Sequence, residues 1–351
     1  MIQSNWEIIV PSIDKLGIKA FKTASADIVD MPLQKYIAET GKPSIVSVGM
    51  ATMQEIQEKA ELGRYQIRGQ ATKRHNLPSF DDLVFTPAGL SRMPLEGYRE
   101  RCETAVTIGE GKVSRPLVLD RPIMIAGMSF GALSVNAKRA LGIAASRCGI
   151  STCTGEGGMH PEEREHSTKL VMQYLPSRYG MNPYDLQKAD MLEIGAGQGA
   201  KPGTGGVLLG LKMSDEVAKM RDLPPGVDQR SSCRHPDWMG ADDLYMKLEQ
   251  LREVTDYEIP ISIKVGASRI ANDVRIACKA DVDAIVFDGM EGGTGAGPHL
   301  ATEDTGVPGM AGIRQARKAI DDLGKRGDII GNSLSFYTNT LKSFFPLINK
   351  H

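Results

Sequence analysis

The chain is short of most features that mark secreted, membrane-bound or nucleic-acid-binding proteins. Its five cysteines, Cys102, Cys148, Cys153, Cys233 and Cys278, are scattered and odd in number. No CxxC pair occurs, so no structural zinc site is expected, and a reducing compartment suits the chain better than a disulfide framework. No apolar run approaches the roughly 20 residues that span a bilayer. The start, MIQSNWEIIV, lacks the basic, apolar and small-residue order of a signal peptide. Basic and acidic residues number 42 and 43, a formal net charge of -1, so no nucleic-acid footprint is present. No Walker A sequence appears. What remains is a 351-residue chain, 41% hydrophobic. It is long enough for one large or two modest domains and is expected in the cytoplasm.

Glycine is abundant, at 38 residues, and gathers behind apolar runs. After Met191-Leu192-Glu193-Ile194 comes Gly197-Gln198-Gly199-Ala200-Lys201-Pro202-Gly203-Thr204-Gly205-Gly206, five glycines in ten residues. Thr154-Gly155-Glu156-Gly157-Gly158 and Asp288-Gly289-Met290-Glu291-Gly292-Gly293-Thr294-Gly295 repeat the pattern. Glycine lets backbone approach a ligand closely and take positive φ. A lysine in such a loop holds a carboxylate or phosphate as a point charge. Three loops of this kind imply one anionic ligand approached from several sides.

Strand and helix patterns alternate around these loops. Pro122 to Ala126, Ile150 to Thr154, Leu192 to Ala196, Ile261 to Val265 and Ala284 to Phe287 read as buried strands. Ser134 to Cys148 reads as a helix with Gly149 as its stop; Asp242 to Val254, Asn272 to Lys279 and the stripe Ile313, Ala316, Ile320, Leu323 read likewise. Such alternation predicts a parallel sheet covered by helices. GxGxxG-like spacing in the lysine loop lacks a suitably placed acidic residue, which disfavours a dinucleotide fold. Glycine loops after many strands point instead to a (β/α)8 barrel with its site on the carboxyl-end face. Residues 155 to 190 and 211 to 243 read as long loops forming a lid or substrate pocket. Cys233 and His235 are too few to hold a metal, and no metal is expected.

Residues 61–325 carry YQIRG, FDDLVF, SRMPLEGYRERC, IAGMSFGALS, TGEGGMHPEER, QYLPSRYGMNP, GQGAKPGTGG, RSSCRHPDW, IKVGAS and DGMEGGTGAGP. This stretch resembles the flavin-binding synthase domain of glutamate synthase, in its archaeal-type and N-methylglutamate-synthase-like forms. The resemblance implies a TIM-type barrel, FMN, and reductive amination of 2-oxoglutarate with ammonia, the reduced flavin N5 supplying hydride. It implies that Met128, Ser129, Gly131 and Ala132 form the first flavin-contact loop. Glu156 lies near the ring or the ammonia path. Gln198 contacts the cofactor, and Lys201 and Arg221 serve the keto acid; a guanidinium fork suits a carboxylate. Lys264 faces the flavin ring, where a fixed cation stabilises its anionic reduced form. Gly289, Gly292, Gly293, Thr294 and Gly295 lie beneath the ribityl chain.

The departures carry their own expectations. Val207 stands where the family has a glutamine that touches the keto acid. The family's cluster cysteines are absent, so no iron–sulfur centre is expected. The last stretch, KRGDIIGNSLSFYTNTLKSFFPLINKH, has no phosphate loop, so residues 326–351 read as a foreign tail and the barrel as incomplete at its C-terminus. Residues 13–58, which include LGIKAFKTASADIVDMPLQKYIAETGKPSIVSVGMATMQEI, resemble a strand–helix–strand piece of the sialic acid synthase family, making residues 1–60 a separate fragment. Ammonia is expected from a glutamine amidotransferase chain and electrons from a donor subunit. The alternatives are an N-methylglutamate synthase using methylamine and an inactive, flavin-free barrel. Sialic acid synthase activity is a third reading, disfavoured by the missing ligand strands.

Overall fold

The structure is a computed structural model that describes residues 21–23, 31–42, 44–46, 77–78, 82–86, 88–203, 205–294, 299–324, 330–338 and 341–343. The chain divides into two compact units, Met1–Gln70 and Ala71–His351. In the first, β1 (Phe21–Thr23) and β2 (Ser44–Val46) pair in parallel across α1 (Met31–Glu39), the arrangement read from the sequence for that fragment.

The second unit opens with a hairpin, β3 (Val106–Ile108) and β4 (Leu117–Leu119), followed by β5 (Ile123–Met124) and α2 (Val135–Cys148). Then come β6 (Thr152–Cys153), α3 (Pro161–His166), β7 (Leu170–Tyr174), α4 (Pro183–Lys188) and β8 (Met191–Gly195). A small antiparallel pair, β9 (Val207–Leu208) and β10 (Gln229–Arg230), encloses α5 (Asp215–Arg221). The chain continues through α6 (Ala241–Val254), β11 (Ile261–Gly266), α7 (Ile270–Lys279), β12 (Ala284–Asp288), α8 (His299–Asp304) and α9 (Gly309–Asp322), ending in β13 (Ile330–Thr338) and β14 (Leu341–Ser343).

One sheet holds eight of these strands in the order β5-β14-β13-β12-β11-β8-β7-β6. A parallel bridge from Met124 to Ser151 joins its two ends. Strands β5, β6, β7, β8, β11, β12 and β13 run parallel, whereas β14 is antiparallel to both neighbours. The fold is therefore α/β and of TIM-barrel type, and its eighth place is taken by a returning strand instead of a further β/α unit. Strands β13 and β14, from a segment expected to fall outside the barrel pattern, cover its edges, which removes the unpaired edges an open sheet would present.

The span 155–190, read as one long loop, contains α3, β7 and α4. Strand β7 is short and buried at every position. A wholly buried strand shows no alternation, so periodicity does not announce it. The span 211–243 likewise contains α5 and β10. Elsewhere the local signals hold. Ser134 caps α2 by accepting from Ala137 N, and Gly149 ends it at φ 64.

Period-2 alternation sorts the strands into two faces. Leu170, Met172, Tyr174, Leu192, Ile194, Ile261, Ile263, Val265, Ile285 and Phe287 face outward onto Leu244, Leu248 and Leu251 of α6, Val274 of α7 and Ala316 of α9. On the inner face, Val171, Met191 and Ala284 pack with Val106, Ile108, Leu117 and Leu119 of the hairpin, which plugs the amino-terminal mouth. Burying each such aliphatic side chain stabilises the fold by about 1.5–3 kcal/mol. One layer further along, the inner positions of these strands turn polar with Gln173, Glu193 and Lys264. The apolar floor beneath and the glycine loops above leave the carboxyl-terminal mouth as the place for chemistry. No helix among the described residues is long and apolar enough to cross a membrane.

Candidate functional site

A cleft opens at this mouth, lined among others by Glu156, Gln173, Gln198, Lys201, Ser231 and Lys264. Glu156 comes from the loop after β6, Gln198 and Lys201 from the loop after β8, and Lys264 from β11 itself. The structure thus gathers Glu156, Gln198, Lys201 and Lys264 around one space. Met128, Ser129, Gly131, Ala132, Gly289, Gly292, Gly293 and Thr294 do not line it; Gly295 lies outside the described residues.

Two of those loops nonetheless pack against the loops that line it. A Cβ on Gly155 would stand 2.5 Å from the Met128 carbonyl carbon, so the loop after β5 and the loop after β6 touch backbone to backbone. A Cβ on Gly199 would overlap the Gly289 carbonyl, and one on Gly266 would stand 2.8 Å from the Gln198 carbonyl oxygen. Only glycine allows the ends of β8, β11 and β12 to converge this closely.

The cations around the cleft differ in what already holds them. Lys264 is 3% exposed and lies 3.3 Å from Asp288. Arg221 is buried; its Nη2 donates to the Phe130 carbonyl at 2.7 Å and its Nη1 to Gln229. Arg221 therefore braces the Met128–Ala132 loop and is absent from the cleft lining. Lys201 forms no ion pair among the described residues. Burial lowers its pKa below the ordinary 10.5, Lys264 and Arg221 add to the effect, and Glu156 opposes it. Lys201 is thus the cation left to receive an incoming anion. Burial likewise lowers the Arg221 pKa, with Glu156 opposing. Val207 begins β9 and lies outside the lining.

Four residues not singled out from the sequence complete the site. Gln173 Nε2 donates to Glu193 Oε1 at 2.5 Å across β7 and β8. Ser231 donates to Glu156 Oε1 at 2.7 Å. Lys138 Nζ donates to the Thr154 carbonyl at 2.6 Å, just before the Glu156 loop. A signal for Gln173 and Glu193 existed: LVMQY and MLEIG each carry one polar residue in a strand buried throughout, as ISIKVG carries Lys264. Ser231 and Lys138 had no comparable mark. Cys153, behind Glu193, has its thiol pushed up to about 12 by burial, so it stays protonated and unreactive.

His235 anchors the start of the lysine loop. It is 4% exposed. Its Nε2 donates to the Gly195 carbonyl at 2.8 Å, while Nδ1 accepts from Arg178 at 3.0 Å. Its ring stacks 5.0 Å from Trp238. Burial pushes its pKa down from 6.5 to about 4, Arg178 assisting and the Gly195 contact opposing. Between these values the unfolded chain binds a proton that the folded chain refuses, so stability falls as pH drops from 6.5 to 4 and is flat below. The expected slope is about 1 kcal/mol per pH unit. Urea unfolding across this window measures it, and His235→Asn flattens it.

Comparison with known proteins fits this picture. Residues 66–331 match the profile of the conserved region in glutamate synthase, and residues 6–75 match that of the NeuB family. A glutamate synthase large subunit-like protein of Rhizobium meliloti is 57% identical over 273 residues, 78% of this chain and 62% of that protein. The archaeal glutamate synthase [NADPH] of Methanocaldococcus jannaschii is 31% identical over 301 residues, 78% of this chain and 59% of its own length. The chain thus spans roughly three-fifths of these relatives. A mandelate oxidase structure bearing an FMN adduct is a distant likeness, 15% identical with a TM-score of 0.35 over 61% of this chain and 57% of the oxidase. By its matched residues 66–331, the chain belongs to the glutamate synthase family, with a NeuB-type segment at its amino end.

Proposed function

We propose that the chain is the flavin-binding part of a glutamate synthase that converts 2-oxoglutarate and ammonia to glutamate. One observation carries the reading: Lys201 and Lys264, from two strand ends, meet Glu156 around one cleft. The dianionic keto acid finds its cation in Lys201, whose ammonium no carboxylate of the described residues engages. Glu156, a carboxylate across the same space, suits a cationic or amine co-substrate.

The cleft also suits the ring end of FMN. Five glycines, Gly195, Gly197, Gly203, Gly205 and Gly206, are among its lining residues, and Lys264 offers a fixed charge to the ring edge. Lys264 and Gln198 would hold it. When bound and reduced, FMN supplies the hydride that turns 2-iminoglutarate, formed from 2-oxoglutarate and ammonia with loss of water, into glutamate. The chain's residues bind and orient: Lys201 holds a carboxylate and Glu156 faces the amine. Delivery of ammonia by a glutamine amidotransferase and of electrons by a donor subunit belongs to the same proposal.

The test is direct. Purified protein incubated with FMN is expected to retain one flavin and, after anaerobic photoreduction, to be reoxidised by 2-oxoglutarate plus ammonium with formation of glutamate. Faster reoxidation with methylamine assigns N-methylglutamate synthesis instead. The rival reading, a barrel that holds no flavin, draws on the antiparallel β14 in the eighth place. Failure to retain FMN decides for it.

A further inference from the structure

A buried guanidinium is connected to the cleft carboxylate through two neutral groups. Arg221 Nη1 donates to Gln229 Oε1, Gln229 Nε2 donates to Ser231 Oγ at 3.4 Å, and Ser231 Oγ donates to Glu156 Oε1 at 2.7 Å. Every donor points the same way, from the cation toward the carboxylate. A Gln229 amide that must accept from Arg221 has only its NH₂ left for Ser231, and a hydroxyl that accepts from Gln229 has its proton left for Glu156. Such chains polarise each link in turn.

The anchor of this relay cannot move easily. Arg221 is 2% exposed and also donates to the Phe130 carbonyl. A Cβ added to Gly157 would stand 3.0 Å from its Nε, which has no hydrogen-bond partner among the described residues. Ser231 is held independently, its backbone N donating to the Gly206 carbonyl at 2.8 Å. Ser231 and Glu156 both line the cleft, whereas Arg221 does not. Glu156 accepts its hydrogen bond through Oε1, which leaves Oε2 for a ligand.

We propose that Ser231 is a positioning residue that fixes Glu156 toward the amine substrate, and that Arg221 acts on Glu156 through Gln229 and Ser231. Three side chains from one stretch of chain, Arg221 to Ser231, thereby set the direction of a carboxylate 75 residues from Ser231. The amine role rests on the glutamate synthase reading above; the tether of Glu156 does not.

The experiment uses the full chain loaded with FMN and photoreduced. Flavin reoxidation is followed against ammonium at saturating 2-oxoglutarate, then against 2-oxoglutarate at saturating ammonium. Ser231→Ala is expected to lower the second-order rate constant for ammonium about tenfold, the worth of one hydrogen bond to a charged group. The apparent constant for 2-oxoglutarate stays within about twofold, and Ser231→Thr, which keeps the hydroxyl, recovers most of the loss. An unchanged ammonium constant, an equal loss toward both substrates, or no rescue by threonine overturns the proposal. Urea midpoints of Glu156→Ala, Ser231→Ala and the double variant give a readout without turnover. The relay requires non-additive midpoints, and additive ones refute it. If the wild type turns over neither amine, the enzymatic reading fails by itself; non-additive midpoints then keep the tether and discard its amine role.

Discussion

Lys201→Met is expected to weaken 2-oxoglutarate binding by about two to three orders of magnitude, the usual cost of removing one partner from a desolvated charge pair. The size follows from what surrounds the ammonium. Lys264 is already paired with Asp288, and both terminal nitrogens of Arg221 are committed to Phe130 and Gln229. Neither can turn to replace Lys201. Methionine keeps the bulk and removes the charge, so the fold should persist. Calorimetric titration of the wild type and variant with 2-oxoglutarate measures the effect. Lys201→Arg is expected to recover only part, because a planar fork does not occupy the place of a compact ammonium. The pH dependence has a fixed sign. Burial lowers the Lys201 pKa below 10.5, so affinity for the dianion declines with rising pH at lower pH than an exposed lysine would allow. Methionine at 201 abolishes that decline. A variant that binds 2-oxoglutarate as tightly as the wild type removes Lys201 from the proposed function.

Lys138→Met carries the largest expected cost in stability, about 3–5 kcal/mol. Lys138 and Glu163 are each 1% exposed, and their charges meet at 2.9 Å between α2 and α3. Lys138 also holds the Thr154 carbonyl, and Glu163 Oε2 has no hydrogen-bond partner among the described residues. Burial raises the Glu163 pKa while Lys138 opposes the rise. Methionine therefore leaves a buried carboxyl group with its paired cation gone. The double variant Lys138→Met and Glu163→Leu is expected to regain much of the loss, since a buried pair replaced by apolar side chains of similar volume is often neutral. Urea unfolding of the three proteins measures both effects. Activity should not follow stability: the Thr154 carbonyl stays without its donor in the double variant, so the Glu156 loop remains loosened and turnover stays depressed. A double variant with full turnover would show that Lys138 serves the fold alone.

Much of this architecture was legible along the chain because the signals are local. Alternating strands and helices, the Ser134 and Gly149 caps of α2, and glycine after each strand depend on neighbours within one turn or one pleat. The motifs marked the glutamate synthase family, and the polar residue inside ISIKVG marked Lys264. Strand β7 escaped because five buried residues show no period. The pairing of β13 and β14 with the rest of the sheet escaped because nothing local says that a β-like tail will return beside β5.

Sequence alone determined which residue types and loops were available: a lysine and a glutamate in glycine-rich turns at strand ends, and one lysine within a strand. Only the tertiary structure decided their partners. Ser231 meets Glu156 across 75 residues, and Arg221 meets Phe130 across 91. Such contacts exist because closing the sheet brings the ends of separate strands to one mouth. There, burial leaves each polar atom only its nearest neighbours to bond, and that decides which cation is spent on the fold and which is left for a ligand.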